Sequence, residues 1–318
     1  MPDPVACLLA VLAAGGTGAI VVCALGWPGR PASPARINAA GMAGTAAGLA
    51  AGYAALRLQP GWPPATGLDR FLTIVLPAVI GVELLAALPR LPGRVAVLLR
   101  IGLALSAARI LLHGSVYLGG AADGATGPVV VLLAVVGALL TVEWCLLLGL
   151  SQRAPGVAIP LALAESLVCG GVAVMLAGYL RGGEAALPPA AALTGAALAS
   201  AAISRHAAPA AIGIGLTALF GVLFLGRFFG ALPTGQALAV FLAPLACWAA
   251  EHRTLAGQTP WRRLFLRLGL VAVPLVVVLV QAERHFEREF RPLISQAMNS
   301  PSQPVHCGGD STIITPAP

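Results

Sequence analysis

Apolar runs of roughly 17–25 residues, the length a hydrocarbon core of about 30 Å demands of a helix, alternate with short polar stretches in which arginine, proline and glycine collect. The pattern predicts an all-α fold, a polytopic transmembrane helix bundle of about ten spans. The spans read as residues 5–25, 37–56, 71–88, 95–118, 128–150, 157–180, 187–204, 208–226, 232–250 and 264–282. One transmembrane helical domain therefore covers residues 1–282, and 283–318 form a short polar C-terminal tail, disordered in part. Pro188, Pro189, Pro244 and Pro274 fall inside spans or at their ends, where neighbouring helices can satisfy the freed backbone groups, so they predict kinks.

The tail begins with "ERHFEREF", which sets Glu287 four residues before Arg291 and aligns Phe286, Phe290 and Leu293. That spacing predicts a helix extension, solvated or lying on the membrane surface, up to Pro292. From Asn299 onward the Pro, Ser and Gly content is that of a disordered end.

Composition sharpens the reading. Of 318 residues, 58% are hydrophobic and only 10% charged, and the mean hydropathy is +0.90; soluble domains carry about 25% charged residues. So few charges cannot make a polar shell, and the lipid bilayer is the expected surrounding of a multi-pass protein of the bacterial plasma (inner) membrane. All 19 basic side chains are Arg, with no Lys, the usage of a GC-rich genome. The net charge of +7 reads as positive cytoplasmic loops, and a nucleic-acid partner, which would need a basic groove on a soluble module, is not expected. Eleven arginines fall in the odd loops, against Arg57, Arg70, Arg181 and Arg227 in the even ones, which predicts both termini outside. The opening "MPDPVACLLAVLAAGGTGAIVVC" has Asp3 and no basic residue before a long apolar stretch, so it reads as an anchor and not a cleaved signal.

Candidate chemistry is sparse. Cys7, Cys23, Cys145, Cys169 and Cys247 sit in or beside apolar runs as small hydrophobes, no CxxC pair occurs, and Cys307 has only His306 beside it. There is no HExxH, no phosphate-binding loop and no aspartate-rich diphosphate motif. His113 and Ser115 are two residues apart and point to different helix faces. No catalytic residue, metal site or cofactor is therefore assigned.

The ionisable groups inside spans carry the functional reading: Glu83, Arg100, Arg109, Glu143 and Glu165. Each costs about 2.5–3.5 kcal/mol at mid-helix and should face protein, water or another charge. Glu83 lies seven residues before Arg90 and Arg100 six after Arg94, so the two are expected to form a structural ion pair across a helix hairpin, with snorkelling as a second escape for Arg100. With a helix running to Leu118, Arg109 lies deep and shares a face with His113. Arg109, Glu143 and Glu165 come to a similar height, about 13–18 Å from the cytoplasmic arginines, which makes them the candidate ion or proton site.

Two further patterns stand out. In "GTAAGLAAGY", Gly44, Gly48 and Gly52 recur every four residues and form a flat packing face, for a neighbouring helix or for a second copy. "GVELLAALPRLPG" and "TVEWCLLLGLSQRAPG" both read as Val-Glu, an apolar turn and a basic Pro-Gly loop, a short echo with no duplicated halves behind it. Three functions fit: a small-solute or proton-coupled transporter, a scaffold subunit of a membrane complex or homo-oligomer, and a membrane enzyme acting on a lipid.

Overall fold

The computed structural model describes residues 3–26, 34–87, 91–119, 126–153, 156–203, 210–251 and 259–289, and among these there is no β-strand. The chain forms α1 (Pro4–Gly26) and α2 (Pro34–Ala55). Next comes α3, built from Gly67–Arg70, a π-helical turn Phe71–Val75 and Leu76–Ala86. Then follow α4 (Gly93–Leu112), α5 (Thr126–Arg153), α6 (Ala158–Leu176), α7 (Leu187–Ile203, preceded by a short helix Leu180–Glu184) and α8 (Ala210–Phe229). The last two are α9 (Thr234–Leu242, continuing as a 3-10 helix Ala243–Glu251) and α10 (Pro260–Glu289).

Local sequence explains the irregular turns. Proline has no amide to donate to the carbonyl four residues back, so a π turn precedes Pro77 and the α-geometry of α9 gives way to 3-10 at Pro244. The start of α3 is fixed by a capping box: Thr66 Oγ1 accepts from the Asp69 amide at 3.1 Å, and the Asp69 carboxylate accepts from the Thr66 amide at 3.0 Å.

Among the described residues seven helices, namely α1, α4, α5, α6, α7 with its leading turn, α8 and α10, are long and apolar enough to cross a bilayer. The protein is a multi-pass helical membrane protein in contact with lipid. The other three are diluted by Gly and Ala (α2), interrupted by the π turn (α3) or short (α9), yet they run between the same two ends as the rest. At one end Tyr53 donates to the Ala185 carbonyl at 3.0 Å, Tyr117 to the Phe228 carbonyl at 3.1 Å, and the Ala231 amide to the Ala177 carbonyl at 2.9 Å. These contacts gather the α2–α3, α4–α5, α6–α7 and α8–α9 connections. At the opposite end the Arg36 Nε donates to the Leu25 carbonyl at 2.9 Å, and the Arg153 guanidinium lies 5.1 Å over the Trp248 ring. Exposed Trp62 marks the first end and exposed Trp261 and Phe265 the second, as interfacial anchors do.

The bundle is organised around α8. Every residue from Ala211 to Gly226 is buried, whereas only 22% of the membrane-crossing window is buried in α1, α5 and α10. Its glycines let neighbours in on several sides: a Cβ at Gly213 would strike Glu83 and Trp144, at Gly215 Leu193, at Gly221 Phe71 and at Gly226 Val174. A helix hydrophobic all round is a core helix, and here α3, α5, α6 and α7 close on it.

The glycine face of α2 is consumed inside this fold. A Cβ on Gly44 would fall 2.6 Å from the Gly18 carbonyl oxygen of α1, on Gly48 2.5 Å from that of Ala14, and on Gly52 2.7 Å from Pro188 of α7. Three small-residue helices, α1, α2 and α7, approach backbone to backbone, which leaves no room for a second copy on that face. The polar end of α10 continues as helix to Glu289; the sequence pairing of Glu287 with Arg291, and the His306–Cys307 pair, lie outside the described residues.

Candidate functional site

Among the described residues the two fully buried carboxylates, Glu83 on α3 and Glu143 on α5, lie on helices that each pack against α8. Glu83, 1% exposed, accepts from Arg100 through both oxygens: Nε to Oε1 at 2.8 Å and Nη2 to Oε2 at 2.7 Å. Such a two-pronged pair satisfies the carboxylate and aligns both groups. The Arg100 side chain remains 19% exposed, so its stem leads outward while its head is tied. Gly213 of α8 makes the pocket possible: a Cβ there would collide with Glu83 Oε1 and stand 2.6 Å from the Trp144 ring.

Glu143 lies on α5 beside Trp144 and is equally buried, at 1% exposure. Consecutive residues point about 100° apart around a helix, so Trp144 turns to Gly213 and Glu143 continues a neighbouring stripe. That stripe is Leu132, Val136 and Leu139, which with Phe220, Phe224 and Phe241 line an apolar cavity of about 250 Å3 between α5, α8 and α9. Thr217 precedes Phe220 by three residues and Phe224 by seven on the facing stripe of α8. Both Glu143 oxygens, Trp144 Nε1 and Thr217 Oγ1 are buried without a hydrogen-bond partner. Buried polar atoms are ordinarily paired, and Glu143 is the carboxylate among them with both oxygens unpaired, which makes it the candidate for exchange. Among the described residues no three His, Cys, Asp or Glu side chains converge on a metal position.

The structure places the other two members of the expected site elsewhere. Glu165, half-buried on α6, lines a groove of about 730 Å3 together with Gly15 and Gly16 of α1, Thr194 and Gly195 of α7, and Leu268 of α10. Arg109 is exposed, in the last turn of α4. The helix does not run to Leu118: it ends at Leu112, because His113 turns to ψ 131° and Gly114 takes φ +68°, a conformation that favours glycine. Arg109 is therefore three residues from a helix end and reaches the interface by extending its side chain. Equal height along three helices does not bring three side chains together, and Arg109, Glu143 and Glu165 occupy three separate surfaces.

Gly213, Trp144 and Thr217 were not singled out by sequence. The available signal was the density of glycine in "AAIGIGLTALFGVLFLG", four in seventeen residues of an otherwise bulky helix; it identifies a helix approached closely on several faces, without saying by what. No family model matches the chain, and no curated protein or solved structure matches it.

Proposed function

We propose that the protein is a proton-coupled transporter of a small solute in the bacterial plasma (inner) membrane, with Glu143 as the group that takes up and releases the proton. The observation that supports this is the pair of unpartnered Glu143 oxygens in the packed interior. Leaving a bare carboxylate there adds the loss of its hydrogen bonds to the cost of about 2.5–3.5 kcal/mol for a charge at mid-membrane. A proton removes that cost, and a change in access or in the bound solute shifts the balance. Glu83, held by two hydrogen bonds, is built for structure and not exchange.

The scaffold reading loses its main support, because the glycine face of α2 is filled from within. The orientation proposed for the transporter is N-terminus outside, which puts the even loops with Arg57, Arg70, Arg181 and Arg227 on the outer face.

The test is proton movement in everted membrane vesicles carrying an inside-acid gradient, read by a quenched acridine dye and challenged with panels of small amines, carboxylates and sugars. At least one class should dissipate the gradient with the parent protein and fail to do so with Glu143→Gln at equal membrane content. Equal dissipation by both proteins, or none with any class, overturns the proposal.

A further inference from the structure

The groove that holds Glu165 differs in kind from the sealed site of Glu143. Its floor is α6 and α7, which pack together, and its walls are α1, packed on α2 and α7, and α10, packed on α6 and α9. It opens sideways into the bilayer, where Leu12 and Val168 on its rim are 61% and 47% exposed. At about 730 Å3 it falls within the range of about 300–1,000 Å3 typical of small-molecule sites. Small residues let α1 and α7 close on each other at Gly15, Ala191 and Gly195 at the base of the groove, and Gly16 of α1 leaves it open. A Cβ added at Gly16 meets nothing within 4 Å.

Glu165 is the one ionisable side chain among the described residues lining this groove. It is the eighth residue of a nineteen-residue helix, close to mid-depth. Thr194, the only hydroxyl in the lining, already donates inward to the Ala190 carbonyl at 2.8 Å and so is not a donor to the carboxylate.

We infer that the groove between α1 and α10 binds a lipophilic organic cation, with Glu165 as its countercharge. The chemistry selects against the alternatives. An anion would meet a carboxylate and no basic side chain among the lining residues. A metal ion would find one carboxylate where several oxygen ligands are required. A neutral lipid tail would fill the volume and make no use of the carboxyl, which would stay protonated beneath it. A compact hydrated ammonium would lose its water to an apolar wall that offers almost nothing in return. A cation with its charge spread under an apolar surface dissolves in the bilayer, enters sideways, covers the glycine walls and neutralises Glu165. The site stands independently of the proton role given to Glu143.

The test uses the full chain in lipid nanodiscs and equilibrium dialysis of radiolabelled tetraphenylphosphonium. Saturable binding of one cation per chain is expected. Glu165→Gln should weaken it at least tenfold, and Gly16→Leu, whose Cβ projects into the open groove, by a similar factor. Glu143→Gln should leave binding unchanged, so this result stands whatever proton movement shows. Neutral triphenylphosphine oxide should compete at least tenfold less well than the cation. Binding that Glu165→Gln leaves intact, that never saturates, or that the neutral analogue matches overturns the inference.

Discussion

Glu83 and Glu143 invite comparison because each follows a valine in the two echoing segments, each is 1% exposed, and each lies beside α8. One receives two hydrogen bonds from Arg100; the other receives none. Burial alone therefore says little about what an intramembrane carboxyl does. Its neighbours decide whether it is a strut or a site. On the α3–α4 side a cation from the adjacent helix closes the electrostatic account locally; on the α5–α8 side Trp144 Nε1 and Thr217 Oγ1 are themselves buried without partners.

The sharpest way to break this contrast is to remove the partner that only one carboxyl has. Arg100→Leu leaves Glu83 as a lone buried charge, and breaking a buried pair from one side costs about 3–5 kcal/mol. Its melting temperature in detergent should fall steeply, and Glu83→Gln added to Arg100→Leu should recover part of the loss. A single change without effect would mean that Glu83 is not held by this pair.

Gly213→Ala acts on the shared wall. Its methyl group would press on Glu83 and Trp144 together, and overpacking of this kind costs about 1–3 kcal/mol. The loss should shrink when Trp144 is replaced by Leu, and a double-mutant cycle measures that coupling. Strict additivity would mean that α8 moves away and that the wall is softer than drawn.

The smallest effect has the opposite sign. Glu143→Leu replaces an unpartnered carboxyl by an apolar side chain of similar size and should raise thermal stability by about 1 kcal/mol, the low end of the cost of an unpaired buried polar group. The same change at Glu83 should destabilise, because it strands Arg100. A fall in stability at Glu143 would reveal a structural partner and weaken its assignment to proton exchange.

Much of the architecture was legible in sequence because membrane helices are read by length and hydropathy: each expected segment holds a helix among the described residues, the fourth one cut short at Leu112. The Glu83–Arg100 pair was legible too, since two neighbouring helices joined by a short basic loop fix the depth of both groups relative to that loop. The proposed meeting of Arg109, Glu143 and Glu165 does not occur, first because the helix of Arg109 ends at Leu112 and takes it out of mid-depth, and second because depth is only one coordinate. Rotation about each helix axis decides which neighbour a side chain faces, and that depends on the packing of α8, eighth in the chain. The break at His113–Gly114 was hidden because "LLHGSVYLGG" is apolar enough to pass for more helix; a glycine at positive φ leaves no trace in hydropathy.

The order in which the chain is made treats the two carboxyls differently. Glu83 and Arg100 are seventeen residues apart and belong to one hairpin, so they can enter the bilayer side by side as a neutral unit while later segments are still on the ribosome. Glu143 has no such escort: Thr217, on the α8 helix that packs against α5, follows it by some seventy residues. Until α8 is made, the packing that buries Glu143 in the finished fold is incomplete. Assembly of this protein thus has a built-in late step, and its timing is written in the distance between two helices along the message.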